Sequence, residues 1–269
     1  ASVYGEAVES SYAATITFRY PNIEVSPTSP KWGRFFTLTI RAEYPYNESA
    51  RVEVGGRVYY VSMARGVIQI PNLVVYDLTA VRLHFLGRAT EYELRPAEPR
   101  LVAQASPDKV KVYGLVKLKA WFEDDEGAIP AGVTITYTLS GDCGERAWRV
   151  PAGTEVTYRA TQPGTCVFKA SYSNSLFTLE GAATFRVEPP LVTERSLDVA
   201  KLTDWDYDIR AKVSTDMPVS GTLQLYVDGI LVAADSGYKS RWEASYSLRG
   251  ARPGVHTVRM VFSGEFGLS

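Results

Sequence analysis

Histidine and cysteine are scarce in this 269-residue chain, with two of each. Both histidines, His84 and His256, lie in predicted strands. Neither has a nearby Ser, Cys or carboxylate in any nucleophile motif. No Gly-rich loop suited to phosphate is present. The expectation is a chain with no catalytic residue and no cofactor. The cysteines, Cys143 and Cys166, form no C-x-x-C and have no histidine pair beside them, which argues against zinc and redox sites. A disulfide between them is expected, with free buried thiols as the alternative. Such a bond implies an oxidising compartment or a hyperthermophile interior. Net charge is also small, −1, so no electrostatic case exists for nucleic acid or an anionic membrane surface. No apolar run approaches the roughly 18 residues that span a bilayer, and no secretory-signal pattern is found. The first residue is Ala1, not Met, as in a processed secreted protein or in a chain trimmed by hand. Asn, Gln and Met are sparse, a compositional hint of a hot habitat.

Alternation of apolar and polar residues is abundant. "FFTLTIRAEY" (35–44), "VKLKAWFED" (116–124), "VTITYTLS" (133–140) and "GTLQLYVDG" (221–229) are rich in Val, Ile, Thr, Tyr and Phe, and Gly, Pro or Asp bound them. This is the signature of half-buried strands. No helical stretch exceeds one or two turns. Short strands at this spacing predict an all-β chain of immunoglobulin-like sandwiches.

Pro-containing joints divide the chain at "RPAEPR" (95–100) and "VEPPLV" (187–192). Proline lacks an N–H and resists continuing a sheet, so such joints suit semi-rigid linkers. Three units result, 22–97, 98–188 and 189–269, preceded by residues 1–21. Each unit has an opening segment, then a strong amphipathic strand, and late in the unit a turn and a long strand. Units one and two then add a closing strand, "RATEYELRP" (88–96) and "EGAATFRVEP" (180–189). After "ARPGVHTVRMVFSG" (251–264) only "EFGLS" follows, so unit three is expected to lack its final strand.

In "PVSGTLQLYVDGILVAADSG…SLRGARPGVHTVRMVFSGE" the residues Gly221, Thr222, Asp228, Gly229, Gly254, His256, Thr257, Val258, Ser263, Gly264 and Glu265 resemble bacterial-type immunoglobulin-like repeats of large surface proteins. "DDEGAIPAGVTITYTL" is similar to invasin-like repeats through Asp124, Gly127, Gly132 and Val133, with Pro130 displaced by one. The resemblance covers about two thirds of the chain. It implies the fold and an extracellular, cell-surface setting, but not one function, because such repeats serve as spacers, adhesins and filament subunits. In those families a final strand follows the "S-G-D/E" motif.

Residues 1–21 carry the surplus. In "SYAATITFRYP" (11–21), Tyr12, Ala14, Ile16, Phe18 and Tyr20 fall on one face of a predicted strand, and Ala13, Thr15, Thr17 and Arg19 on the other. A lone amphipathic strand must pair with something. Its wording matches "GAATFRVEP" of unit two, longer by a dipeptide. The reading is donor-strand complementation: one chain's start closes the last domain of the next, against an acceptor region at Val255, Thr257, Arg259 and Val261. Such a head-to-tail contact does not close on itself and builds a filament. Filling the groove would supply on the order of 10 kcal/mol before association costs. Three sandwiches in a row would put residues 12–20 roughly 100 Å from their own unit three, which disfavours self-closure unless the chain folds back. This organisation resembles archaeal thread-like pili and bacterial chaperone–usher pili.

Other readings stay open. The chain serves as a spacer or stalk from a larger surface, S-layer or adhesin protein, with residues 1–21 belonging to an upstream repeat. Alternatively, residues 1–21 add an edge to unit one, or the chain is a carbohydrate-binding accessory module. Partners under these readings are a second copy of the chain, other surface proteins or glycans. Asn47-Glu48-Ser49 is a glycosylation sequon in a predicted loop. The acidic run Glu123–Glu126 lacks the alternate spacing of a calcium loop. Asp204, Asp206 and Asp208 are expected on an exposed edge, and no metal site is expected. Trp32, Trp121, Trp148, Trp205 and Trp242 are scattered, as core or packing residues are.

Overall fold

A computed structural model describes residues 19–269, and they are all-β: among them the sole helical element is one 3-10 turn, Glu265–Gly267. Tandem β-sandwiches account for the strands, as the alternation predicts. The chain divides into two compact units at Glu98–Pro99.

The first unit contains β1 (Ile23–Ser26), β2 (Phe36–Ala42), β3 (Ser49–Val54), β4 (Arg57–Ser62), β5 (Val67–Leu73), β6 (Thr79–Phe85) and β7 (Arg88–Leu94). They form two sheets, β1-β2-β5 and β4-β3-β6-β7. Alternation sends Leu38, Ile40, Val52, Val81 and Leu83 into one core between the sheets, as period-two patterning requires. Trp32 is also buried, and its indole N–H donates to the Tyr76 carbonyl at 2.8 Å. The β3–β4 turn, Gly55-Gly56, has positive φ at both residues, the geometry that suits a two-residue hairpin.

The second unit holds two sheet systems. One spans β8 (Arg100–Ser106), β9 (Lys109–Lys111), β10 (Leu115–Asp124), β11 (Gly127–Ile129), β12 (Thr134–Gly141), β13 (Arg146–Pro151), β14 (Glu155–Arg159), β15 (Gly164–Ser173) and β16 (Thr178–Glu188). Strand β10 is flanked by β8 on one side and by β11 and β14 on the other, and β13-β12-β15-β16-β9 form the facing sheet. Closing strand β16 lies against opening strand β8. A Cβ on Gly181 would sit 2.7 Å from the Leu101 carbonyl oxygen, so only glycine permits this approach. Tyr137 is buried between the sheets; its hydroxyl accepts the Ala120 N–H at 2.7 Å and donates to the Thr154 carbonyl at 2.8 Å. Cys143 and Cys166 form a disulfide with Cα atoms 5.4 Å apart.

The other system spans β17 (Val192–Lys201), β18 (Tyr207–Val227), β19 (Ile230–Leu248) and β20 (Val258–Gly264). Strands β18 and β19 are 21 and 19 residues long, and their pairing breaks register between Ser214 and Val219. At that break the hairpin bends back on itself. Its first layer is β17, residues 207–214 and residues 241–248; its second is residues 230–239, residues 219–227 and β20. The layers face each other across Ile209, Ala211, Val213, Val219, Leu223, Leu225, Trp242 and Phe262. Trp242 packs on Phe262 with ring centroids 4.8 Å apart and donates from its indole N–H to the Gly221 carbonyl at 3.1 Å. One bent hairpin thus supplies four of the six strand segments.

Candidate functional site: an open groove in the last sandwich

In the first two sandwiches the strand before the closing strand is central. β6 lies between β3 and β7, and β15 between β12 and β16. Its counterpart β20 pairs with β18 on one side and, among the described residues, has no strand on the other. Thr257 and Asp228 set the parity of the free edge. The Asp228 N–H donates to the Thr257 carbonyl at 2.8 Å, and the Thr257 N–H donates to Asp228 Oδ1 at 2.8 Å. Antiparallel alternation then turns the backbone groups of Arg259, Val261 and Ser263 toward β18 and those of Val258, Met260 and Phe262 away from it. These outward groups form a template for another strand.

The opposite wall is β17. Leu197 is registered against Ala211 and Val199 against Ile209. Cross-strand partners share a face, and Ala211 and Ile209 point into the core, each 1% exposed. Leu197 and Val199 therefore point the same way, yet they are 38% and 51% exposed. In the preceding sandwich the corresponding residue Leu101 is 4% exposed, because β16 covers β8. The last sandwich thus has an open edge between β17 and β20, a groove bordered by Leu197, Val199, Val258 and Met260. The turn after β20 bounds one end: the Gly264 N–H donates to the Leu268 carbonyl at 2.8 Å, and Leu268 packs on the core.

The other end is fastened by charge. His256 Nδ1 lies 2.7 Å from Asp228 Oδ2, and its Nε2 lies 2.8 Å from the Arg252 carbonyl oxygen. Both partners are acceptors, so both ring nitrogens donate only in the imidazolium form. The Asp228 carboxylate, then the Arg252 carbonyl, push the His256 pKa above its usual value, and His256 in turn holds Asp228 below the usual carboxylate range. In the preceding sandwich the same corner is tied by the Cys143–Cys166 disulfide, and Asp142 Oδ2 accepts the Thr165 N–H at 2.7 Å. A group whose pKa is raised on folding stabilises fully below its unfolded value, about 6.5, and the contribution is lost as pH rises through the folded value. Asp228 acts oppositely, its contribution being lost as pH falls through its lowered pKa. The corner is thus tightest in mildly acidic solution. Amide exchange at Thr257, whose N–H is held by Asp228, should quicken from pH 6 to pH 9 beyond the intrinsic base-catalysed rate, and His256→Gln should remove that excess. An equal excess in the variant would contradict the pairing.

Tyr12, Ala14, Ile16 and Phe18 lie outside the described residues. Tyr20 packs on the first unit's own core; its hydroxyl donates to the Phe85 carbonyl at 3.4 Å, and the Arg88 guanidinium lies 5.0 Å above its ring. Val255 and Thr257 precede β20, Val255 being 97% exposed. Arg259 and Val261 stand on the outer face of β20, while Val258, Met260 and Phe262 face the core. Asn47 is exposed, and its Oδ1 accepts the Arg65 N–H at 2.9 Å. Asp204, Asp206 and Asp208 bond to Lys201, the Gly250 N–H and Arg249. Trp32 and Trp242 are buried, and Trp205 is 52% exposed. Leu197 and Val199 escaped the sequence reading, although "LDVAKLTD" alternates apolar residues at those two positions.

No protein-family model matches the chain, and no curated protein matches it. Solved structures do. Three fibronectin domains of chicken CNTN1 are similar at 9% identity over 91% of this chain and 92% of that one, with a TM-score of 0.29. Three N-terminal domains of the bacteriophage RB49 outer capsid protein Hoc are similar at 14% identity over 91% and 96%, with a TM-score of 0.32. The ICAM-5 D1–D4 fragment is similar at 11% identity over 91% and 76%, with a TM-score of 0.35. At these TM-scores the similarity carries nothing about function.

Proposed function

We propose that this chain is a structural, non-catalytic subunit of an extracellular filament, polymerised head to tail. The start of one copy fills the groove of the next. The observation that carries the reading is the pair Leu197 and Val199: core-facing, covered by nothing described, and opposite an unpaired β20 edge.

The choice of occupant rests on β16. That strand fills the corresponding place in the preceding sandwich, with Ala183, Phe185 and Val187 inward and Ala182, Thr184 and Arg186 exposed. Matching "AATFR" of β16 to "AATITFR" of residues 13–19 puts Ala14, Ile16 and Phe18 on the inward set and Thr15, Thr17 and Arg19 on the outward set. The parity survives because the extra dipeptide is two residues long. Tyr20 stays with its own first unit, so the donor is Tyr12–Phe18. The disulfide supports an oxidising, extracellular setting.

Negative-stain electron microscopy of the full chain beside a variant lacking residues 1–18 tests the reading. Filaments from the first and monomers from the second are expected. Monomers from both would favour a spacer from a longer surface protein.

A further inference from the structure

The groove fixes the direction of the joint, and the direction brings a second surface into play. In both complete sandwiches the closing strand runs antiparallel to its neighbour. A donor in the same place runs from Phe262 toward Val258 and leaves the groove at the Val258 end. Lys201 pairs with Tyr207, Tyr207 with Leu248, and Val227 with Val258. The loops after β17, before β20 and at the β18–β19 turn therefore share that end. The Ala251 N–H donating to the Trp205 carbonyl at 2.8 Å joins two of them directly. The end facing away from the preceding sandwich thus exposes Leu202, Trp205 and Val255, at 52%, 52% and 97%. The opposite end is occupied, with Lys111 bonded to Asp216 and Phe266 edge-on to Tyr113.

Resting on the filament reading, we propose that this apolar tip is a second interface of the joint, and that its partner is the first unit of the incoming copy. Only Arg19 separates Phe18 from Tyr20, which is anchored on that unit, so the unit must sit directly beneath the tip. Tyr20 marks the surface it presents. Its hydroxyl contacts the Phe85 carbonyl, Tyr46 packs edge-on against Phe85 at 5.5 Å, and Tyr44 against Tyr46 at 6.4 Å. Tyr44 and Leu86 on this surface are 55% and 48% exposed. Two apolar patches, each exposed in the isolated chain, meet when the donor strand is seated, and the tip contact sets the stiffness and lifetime of the joint beyond what the strand provides.

The test separates strand from tip. A peptide of residues 9–20 is titrated against the chain lacking residues 1–18, with and without Trp205→Ser and Val255→Ser. The same substitutions are placed in the full chain, and its assembly threshold is measured by light scattering. The expected result is peptide affinity unchanged within about twofold and an assembly threshold raised about tenfold or more. Peptide binding also reports that the variant is folded, and Val255→Ser alone is a milder variant at a nearly fully exposed site. An unchanged threshold with normal peptide binding would overturn the tip interface and leave the filament reading standing. Weakened peptide binding would overturn it too, by placing these residues in the groove. Failure of the peptide to bind the unsubstituted chain, with no assembly, would remove the filament reading itself.

Discussion

Replacing Phe18 by Asp should abolish polymerisation at micromolar concentrations, while Thr17→Asp, one residue away, should leave it nearly intact. On the parity drawn from β16, Phe18 enters the groove and Thr17 faces water. Burying a phenylalanine contributes about 1.5–3 kcal/mol. Forcing an unpaired carboxylate into the same place costs several kcal/mol more. A total above about 5 kcal/mol weakens the joint by more than about a thousandfold. Sedimentation velocity on the two variants reads the difference. Equal behaviour would contradict the assignment of faces, whichever way both went.

The second large effect lies in the preceding sandwich. Cys143 and Cys166 are separated by 23 residues. Cross-linking a loop of that size removes unfolded-state freedom corresponding to about 3 kcal/mol. For a domain of this length, each kcal/mol shifts Tm by about 4–8 °C. Cys143→Ser with Cys166→Ser should therefore lower the melting of that sandwich by about 12–24 °C, and reductant should do the same to the unsubstituted chain. Calorimetry distinguishes this from no shift, which would mean the corner is held by packing alone. The corresponding corner of the last sandwich is held by the His256–Asp228 pair, the His256–Arg252 contact and the two Asp228–Thr257 bonds. The domain with the open groove is thus fastened by a titratable contact where its complete neighbour is fastened covalently.

The alternating strands were legible because period-two patterning is imposed by burial of one face. "VKLKAWFED" and "VTITYTLS" became β10 and β12 almost to the residue. The open edge was legible as well, since two units end in a strand that the third does not show. Three features were not. The 21- and 19-residue strands of the last sandwich read as separate short strands, because a bend made by a register break at 215–218 leaves no apolar signature. The inward row of β20 was not readable either. Val255, Thr257, Arg259 and Val261 alternate as acceptably as Val258, Met260 and Phe262, and only pairing with β18 decides between them. The exposure of Leu197 and Val199 depends on whether a closing strand lies over β17, as β16 lies over β8, which local pattern does not report.

The most direct measurement of the central claim mixes two chains that cannot assemble alone. One lacks residues 1–18 and keeps its groove. The other keeps residues 1–18 and carries Leu197→Lys and Val199→Lys, which set two charges in the groove wall. If the start of one copy fills the groove of the next, each alone is monomeric, and the mixture gives a 1:1 heterodimer that grows no further by light scattering with size-exclusion chromatography. Monomers in the mixture, with both chains folded by circular dichroism, would contradict it.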